Sequence, residues 1–288
     1  MKFKNFFVSI ILFKTFQISF SQDMYAPLNL EITDSSLVNI GLSWETPEAF
    51  RIQSITHLNG TPFTGVGNSD NSPVAYFQRF SGQMLSADQE HGKTIKSLRF
   101  YAFYQGSFQP LVFMTSGTAS DTVPDIANLS NCVLSGPKIT TPNTFAWNNV
   151  NLFNYNGMIE DTSEVSTITI DTTMDVWFGF IISEYFAPQF PMGVDNGPAI
   201  DGYGNMLSIL GTNNNTNSGY VSFGWMTLIE NNPDLTFNWG IELNLISNNS
   251  LSSYTVYENS VEISTITPEC DGSEYCTSES TDLGPRPQ

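Results

Sequence analysis

The residues best suited to hold a ligand lie between positions 190 and 205. Asp195, Asn196, Asp201 and Asn205 offer side-chain oxygens there, and Gly193, Gly197, Gly202 and Gly204 let backbone carbonyls turn inward. A hard cation such as Ca²⁺ takes roughly six to eight oxygens of this mixed kind, which makes these four residues the candidate metal ligands. The spacing is not that of an EF-hand loop, and the same residues also suit a turn-rich loop closed by Asx turns. Asp121/Asp125 and Asp70/Asn71 form smaller clusters that read as solvated loop residues. Aromatic rings are the second candidate, because the C–H faces of a sugar stack on them. Tyr185, Phe186 and Phe190 share one loop, EYFAPQF, and are the candidate ligand-binding residues; capping the end of a sandwich is the plainer role for them.

Catalytic chemistry has less to work with. Glu184 and Glu242 are the best carboxylate pair, both at or near strand ends. Retaining glycosidases hold two carboxyls about 5 Å apart and inverting ones about 6.5–9.5 Å apart, and nothing in the spacing brings these two together. Two solvated strand glutamates are the plainer alternative. His57 and His91 have no neighbouring nucleophile motif. G-x-S-x-G, H-E-x-x-H and a phosphate-cradling glycine loop are all absent from the sequence.

Strands must position these residues, since period-2 patterns dominate and no helical pattern stands out. Residues 237–245 place Phe237, Trp239, Ile241, Leu243 and Leu245 on one face and Asn238, Glu242 and Asn244 on the other. Leu98, Phe100, Ala102 and Tyr104 repeat the pattern, as do Val38, Ile40, Leu42 and Trp44. In 175–183, DVWFGFIIS, both faces are apolar, which predicts a central strand buried on each side. Trp44, Trp177 and Trp239 belong to the core by this pattern, whereas Trp147 and Trp225 are less fixed. Stretches 66–73 and 211–219 read as loops, the latter a flexible Asn-rich one. Many short strands with polar turns predict an all-β jelly roll or β-sandwich.

The first 21 residues have the layout of a cleavable export signal. Lys2 and Lys4 precede an apolar run from Phe6 to Phe13, too short to span a bilayer, and Ser19 and Ser21 supply small residues for cleavage. No other stretch approaches the roughly 20 apolar residues of a membrane span. The expected location is secreted, extracellular or cell-surface. The chain holds 10 basic against 28 acidic residues, and signal removal would take away only lysines. Such acidity argues against nucleic acid and anionic membranes as partners. Of the three cysteines, Cys270 and Cys276 enclose a short polar loop that an exported protein could close as a disulfide, leaving Cys132 as a buried small residue. A zinc site lacks its ligand spacing.

Two separated pieces resemble one fibronectin type III domain. PLNLEITDSSLVNIGLSWETP (27–47) is similar to its opening strands, and LSSYTVYENSVEI (251–263) to its third strand and turn, with Ser260 where glycine is usual. The segment between them resembles a jelly-roll module of bacterial surface proteins akin to gingipain/haemagglutinin adhesin domains. That likeness is carried by AYFQRF, HGKTIKSLRFYAF, WNNVNL, VWFGF, FPMGVDNGPAIDGYGNML and FNWGIEL. After the signal at 1–21, the resemblance implies a fibronectin type III-like domain begun at 22–50 and continued at 248–266, and an inserted jelly roll at 51–247. An acidic, disordered tail follows at 267–288, although the host domain's remaining strands are due there. The function it implies is a non-catalytic binding or adhesion module for a glycan or for an extracellular or host protein. A structural spacer of a larger exported protein and a polysaccharide hydrolase are the alternatives.

Overall fold

The computed structural model describes residues 52–116, 121–158 and 164–246 in full, and the backbone of six further strands at 16–18, 28–35, 40–45, 254–258, 261–266 and 275–279. The chain divides into two compact units, Gln53–Leu245 and a second made of Met1–Ile52 with Ile246–Gln288. Gln53–Leu245 is an all-β sandwich of two antiparallel sheets, one curled into a half-barrel, with almost no helix among the described residues.

The second unit begins with β1 (Phe16–Ile18), β2 (Leu28–Ser35) and β3 (Ile40–Glu45). In the central unit the strands are β4 (Gln53–Ile55), β5 (Thr64–Val66), β6 (Val74–Phe80), β7 (Thr94–Ala102), β8 (Ser107–Thr115), β9 (Cys132–Ser135) and β10 (Ala146–Asn151). They continue with β11 (Phe153–Asn154), β12 (Asp175–Ser183), β13 (Met192–Val194), β14 (Met206–Thr212), β15 (Tyr220–Ser222), β16 (Met226–Thr227) and β17 (Ile241–Ile246). A six-stranded sheet runs β4-β17-β7-β13-β5, with β10 also on β7. An eight-stranded sheet runs β11-β9-β8-β12-β6-β14-β15, with β16 also on β14.

The main core lies between these sheets and follows the period-2 patterns. Leu98, Phe100 and Ala102 of β7 and Ile241, Leu243 and Leu245 of β17 point in from one sheet; Phe108, Val112, Phe178, Phe180 and Ile182 point in from the other. Phe100 packs its ring 4.5 Å from Phe108 and 4.6 Å from Phe180. Each such ring taken fully from water is worth about 1.5–3 kcal/mol. Strand β12 is apolar on both faces because its outer side is covered too: Trp177 and Ile181 join Phe77, Leu111, Phe113, Ile126 and Leu129 in a second cluster. Trp177 and Trp239 are core residues, as their strand positions predict. Cys132 is free and buried, and burial pushes its thiol up to about 12.

Among the described residues two short helices interrupt the strands, α1 (Gly82–Ala87) and α2 (Leu228–Asn231). Both are set by caps that local sequence encodes. The Ser81 side chain accepts from the Met84 N–H, and Thr227 with Glu230 completes a reciprocal capping box.

The second unit closes with β18 (Tyr254–Glu258), β19 (Val261–Ile266) and β20 (Tyr275–Glu279). Strand order is β1-β18-β19 in one sheet and β2-β3-β20 in the other. Strand β1 falls inside the segment read as a signal; the rest of 1–21 lies outside the described residues. Strand β20 falls inside the stretch expected to be a disordered tail, where Tyr275 to Glu279 pair with Glu45 to Gly41. Residues 275–279 carry a β-branched threonine and an aromatic tyrosine, enough for an added strand despite the acidic surroundings. Among the described residues no helix is long and apolar enough to cross a membrane.

Buried polar links cross the central sandwich: the Trp239 indole donates to the Met206 carbonyl of β14 at 2.8 Å, and Gln78 makes two more. Gln78 of β6 accepts the His57 N–H at 2.8 Å and donates to the Trp239 carbonyl at 2.7 Å, joining the eight-stranded sheet to segments flanking β4 and β17. His57 lies 2.8 Å from the Arg79 carbonyl through Nε2 and stacks on Phe80 with centroids 3.9 Å apart. Burial lowers the His57 pKa below its ordinary 6.5, outweighing the bond to Arg79. The unfolded chain therefore binds the proton more readily, so stability holds above pH 6.5 and falls as the pH drops below it toward the folded pKa. The thermal midpoint should decline across that window, before the carboxylates titrate, and His57→Gln should flatten the decline. An unchanged slope in the variant would remove His57 as its source.

Candidate functional site

The strongest of the predicted ligand residues has become a structural centre. Asp195 follows β13 and is fully buried. Its Oδ1 accepts the N–H groups of Gly197 at 2.9 Å and Asn238 at 2.8 Å; its Oδ2 accepts the Asn59 N–H at 2.7 Å and Asn238 Nδ2 at 2.9 Å. Asn238 is equally buried, accepts the Ile200 N–H at 2.7 Å and donates to the Pro198 carbonyl at 3.1 Å. This departs from the sequence pattern, which put Asn238 on a polar outer face. Gly204 passes so close that a Cβ there would overlap Asn238 Oδ1. The loop closes on protein N–H groups, and Asp195 needs no cation to be satisfied.

The other candidate metal ligands serve the same loop or face water. Asn205 is buried, accepts the Gly202 N–H at 3.1 Å and donates to Asp201 Oδ1 at 3.3 Å, while Asn196 and Asp201 are exposed. Among the described residues no three His, Cys, Asp or Glu side chains form a metal-holding group. The smaller clusters are turn organisers. Asp70 accepts the Ser72 N–H, Asp121 accepts from Ser116 and Asn131, and Asp125 accepts from Asn128 and Ser130.

The three loop aromatics separate. Tyr185 is buried, its hydroxyl donating to the Ser72 carbonyl at 2.9 Å and accepting the Asn68 N–H at 3.1 Å. Phe186 is 77% exposed. Phe190 is half-buried and walls a cleft of about 320 Å³ beside Val66, Leu207 and Leu235, rimmed by Asn68 and Asn231.

A more extended aromatic array lies on the outer face of the six-stranded sheet. Tyr101 of β7 is paired with Trp147 of β10, and Arg99 with Asn149. The Arg99 guanidinium stands 4.5 Å over the Trp147 ring and 3.2 Å from Glu242 of β17. Tyr101 meets Trp147 edge-on at 5.7 Å, and Phe103, Tyr104 and Phe145 form an edge-to-face trio at 5.0–5.5 Å. Tyr101 lies flat enough on β13 that a Cβ on Gly193 would press into its ring. Beside the rings runs a polar ladder in which Ser54 donates to Asn244 and Asn244 donates to Ser97 and Asn149. The signal for this face was the alternation of β7: Arg99 and Tyr101 occupy the side opposite Leu98, Phe100 and Ala102.

The carboxylate pair is divided between the sheets. Glu242 is on β17 and paired with Arg99, whereas Glu184 follows β12, accepts from Ser107 at 2.8 Å and pairs with Lys138 at 3.1 Å. The Ser107 bond, with Lys138 beside it, holds the Glu184 carboxyl below its usual range. His91 contacts Thr172 on the surface. Cys276 falls on β20, and Cys270 lies outside the described residues, as does the bridge proposed between them. The chain matches no protein-family model, no curated protein and no solved structure.

Asp195→Ala would leave its buried N–H donors without an acceptor and should cost on the order of 3–5 kcal/mol in urea unfolding. Asp195→Asn, which keeps one acceptor oxygen, should lose less. A variant with the wild-type unfolding midpoint would contradict the role assigned to this carboxylate.

Proposed function

We propose that this chain is an exported, non-catalytic binding module that holds a neutral glycan on the outer face of its six-stranded sheet. The observation that carries this reading is the row Trp147, Tyr101 and Phe103 with Arg99 fixed above the indole. Rings supply flat apolar area at small entropic cost, and the adjoining Asn149 amide and Glu242 carboxylate can meet hydroxyls. Arg99 and Glu242 balance one another, so the face offers no net charge. A chain of net charge −18 repels anionic polymers, which favours an uncharged polysaccharide.

In this reading the central unit is a jelly roll of the surface-adhesin kind, inserted into a fibronectin type III-like host behind a cleaved signal at 1–21. Three strand pairings support the host assignment. Strand β3 pairs β2 on one side and β20 on the other, as strand B of an immunoglobulin-like sheet pairs A and E, and β18 forms a hairpin with β19. The hydrolase alternative is weaker, because Glu184 and Glu242 belong to different sheets and each already has its own cation.

The test is retention on immobilised neutral polysaccharides by affinity electrophoresis. Trp147→Ala and Tyr101→Ala should each weaken retention by about tenfold or more, equivalent to roughly 1.4 kcal/mol, with the fold intact. Retention of no glycan, or retention indifferent to both variants, would remove this reading; capture of an extracellular protein through the same residues would replace the glycan by a protein partner.

A further inference from the structure

The outer side of the eight-stranded sheet is covered unevenly. Around Trp177 the cover is complete: its Nε1 donates to Thr115 at 3.2 Å, Trp225 packs 5.5 Å away, and Trp225 is itself anchored to the Pro124 carbonyl at 3.1 Å. Toward the other end of β12 the described residues pack less closely and leave a cleft of about 410 Å³. Ile181 lines it, with Met158 and Tyr220 beside it. This volume falls within the range of roughly 300–1,000 Å³ typical of small-molecule sites.

One wall of the cleft is the Asn-rich loop at 211–219. Bonds from Asn213 to Gly219, Thr216 to Asn213 and Gly219 to Thr216 close it, and bonds from Ser218 to Ala127 and Asn217 to Asn128 dock it. The reason is the density of short polar side chains: the Asn213 carboxamide accepts the Asn215 N–H, and the Thr216 hydroxyl donates to Asn213 and Tyr220 carbonyls.

We propose that this cleft holds a single neutral sugar ring. The inference rests on the binding-module reading but concerns a different site from the aromatic face. Three polar groups that line the cleft have unused capacity among the described residues. The Ser183 hydroxyl, on a buried residue, has no partner. Gln109 donates through Nε2 to the Gly136 carbonyl at 2.8 Å, which leaves Oε1 without a donor. Asn217 donates through Nδ2 to the Asn128 carbonyl at 2.8 Å, which leaves its Oδ1 likewise.

Two carbonyl oxygens that only accept, and a hydroxyl that does both, call for a ligand rich in O–H donors. A carboxylate or phosphate would bring acceptors to acceptors, and Lys138 at the cleft is already paired with Glu184. The C–H face of a hexose suits Ile181, Met158 and the Tyr220 ring, while its hydroxyls suit Ser183, Gln109 and Asn217. Either a free sugar or the uncharged end of a glycan presents this chemistry.

Saturation-transfer NMR and calorimetry on the full chain, with methyl glycosides of neutral hexoses and oligosaccharides ending in the same hexose, test the assignment. At least one hexoside should bind, and Ser183→Ala should weaken it roughly tenfold without moving the thermal midpoint, since that hydroxyl holds no protein partner. Gln109→Leu should weaken it as well. Equal affinity for both ligand forms identifies a free sugar, and a preference for the oligosaccharide identifies a chain end. Trp147→Ala should leave cleft binding unchanged, so loss of polysaccharide retention and loss of cleft binding are read separately. Absence of transfer to every neutral hexoside, or binding unaltered in both cleft variants, would overturn the proposal.

Discussion

The central unit depends on one buried carboxylate. Asp195 gathers N–H groups from Asn59, Gly197 and Asn238, three segments far apart in sequence, at distances of 2.7–2.9 Å. Placing a charge in this interior is tolerable only because every donor points at it, and removing the charge would strand all of them. The knot sits where β13 ends, β17 is about to begin and the chain leaves β4. It therefore fixes the relation of three strands in the six-stranded sheet. Gln78 extends the same logic across the sandwich by bonding His57 and the Trp239 carbonyl from the opposite sheet.

This economy decides where binding is possible. Asp195, Asn238, Gln78 and Trp239 spend their side-chain polar groups on one another or on backbone, so this part of the interior offers little to a ligand. What remains lies on the two outer faces. On the six-stranded sheet, aromatic rings and amides alternate across β10, β7 and β17. On the eight-stranded sheet, loops pack closely over the Trp177 end of β12, and among the described residues a cleft remains at the Ser183 end. Strands β7, β12 and β17, which carry much of both faces, are deeply packed on their inner side, which keeps their outward side chains in fixed positions.

Much of the fold was legible in the sequence, because a half-buried strand repeats every second residue. Leu98, Phe100 and Ala102 face the core as their spacing requires, and the unbroken apolar run of β12 is buried on both sides. The small helix α2 was not legible, because four residues are too few to show a helical period, and its Thr227 and Glu230 capping pair shows only in the structure. Burial of Asn238 was not legible either, since alternation counts a polar residue as outward and cannot anticipate a carboxylate arriving from residue 195. The aspartates and asparagines of 195–205 were recognisable as a loop built on oxygen atoms. Whether those oxygens accept from N–H groups or face a cation depends on Asn59 and Asn238, which local spacing does not reveal. The same limit applied to Trp147: its strand partners Tyr101 and Arg99 are distant in sequence, and only pairing of β10 with β7 shows that they share a face.

Native-state amide hydrogen exchange tests the central claim most directly. If the Asp195 knot holds the six-stranded sheet in register, the amides of Asn59, Gly197 and Asn238 will exchange together, and only through the global unfolding that also releases the core strands β7 and β12. Rapid exchange of these amides while the core strands stay protected would show that the sandwich stands without the knot, and would contradict the account.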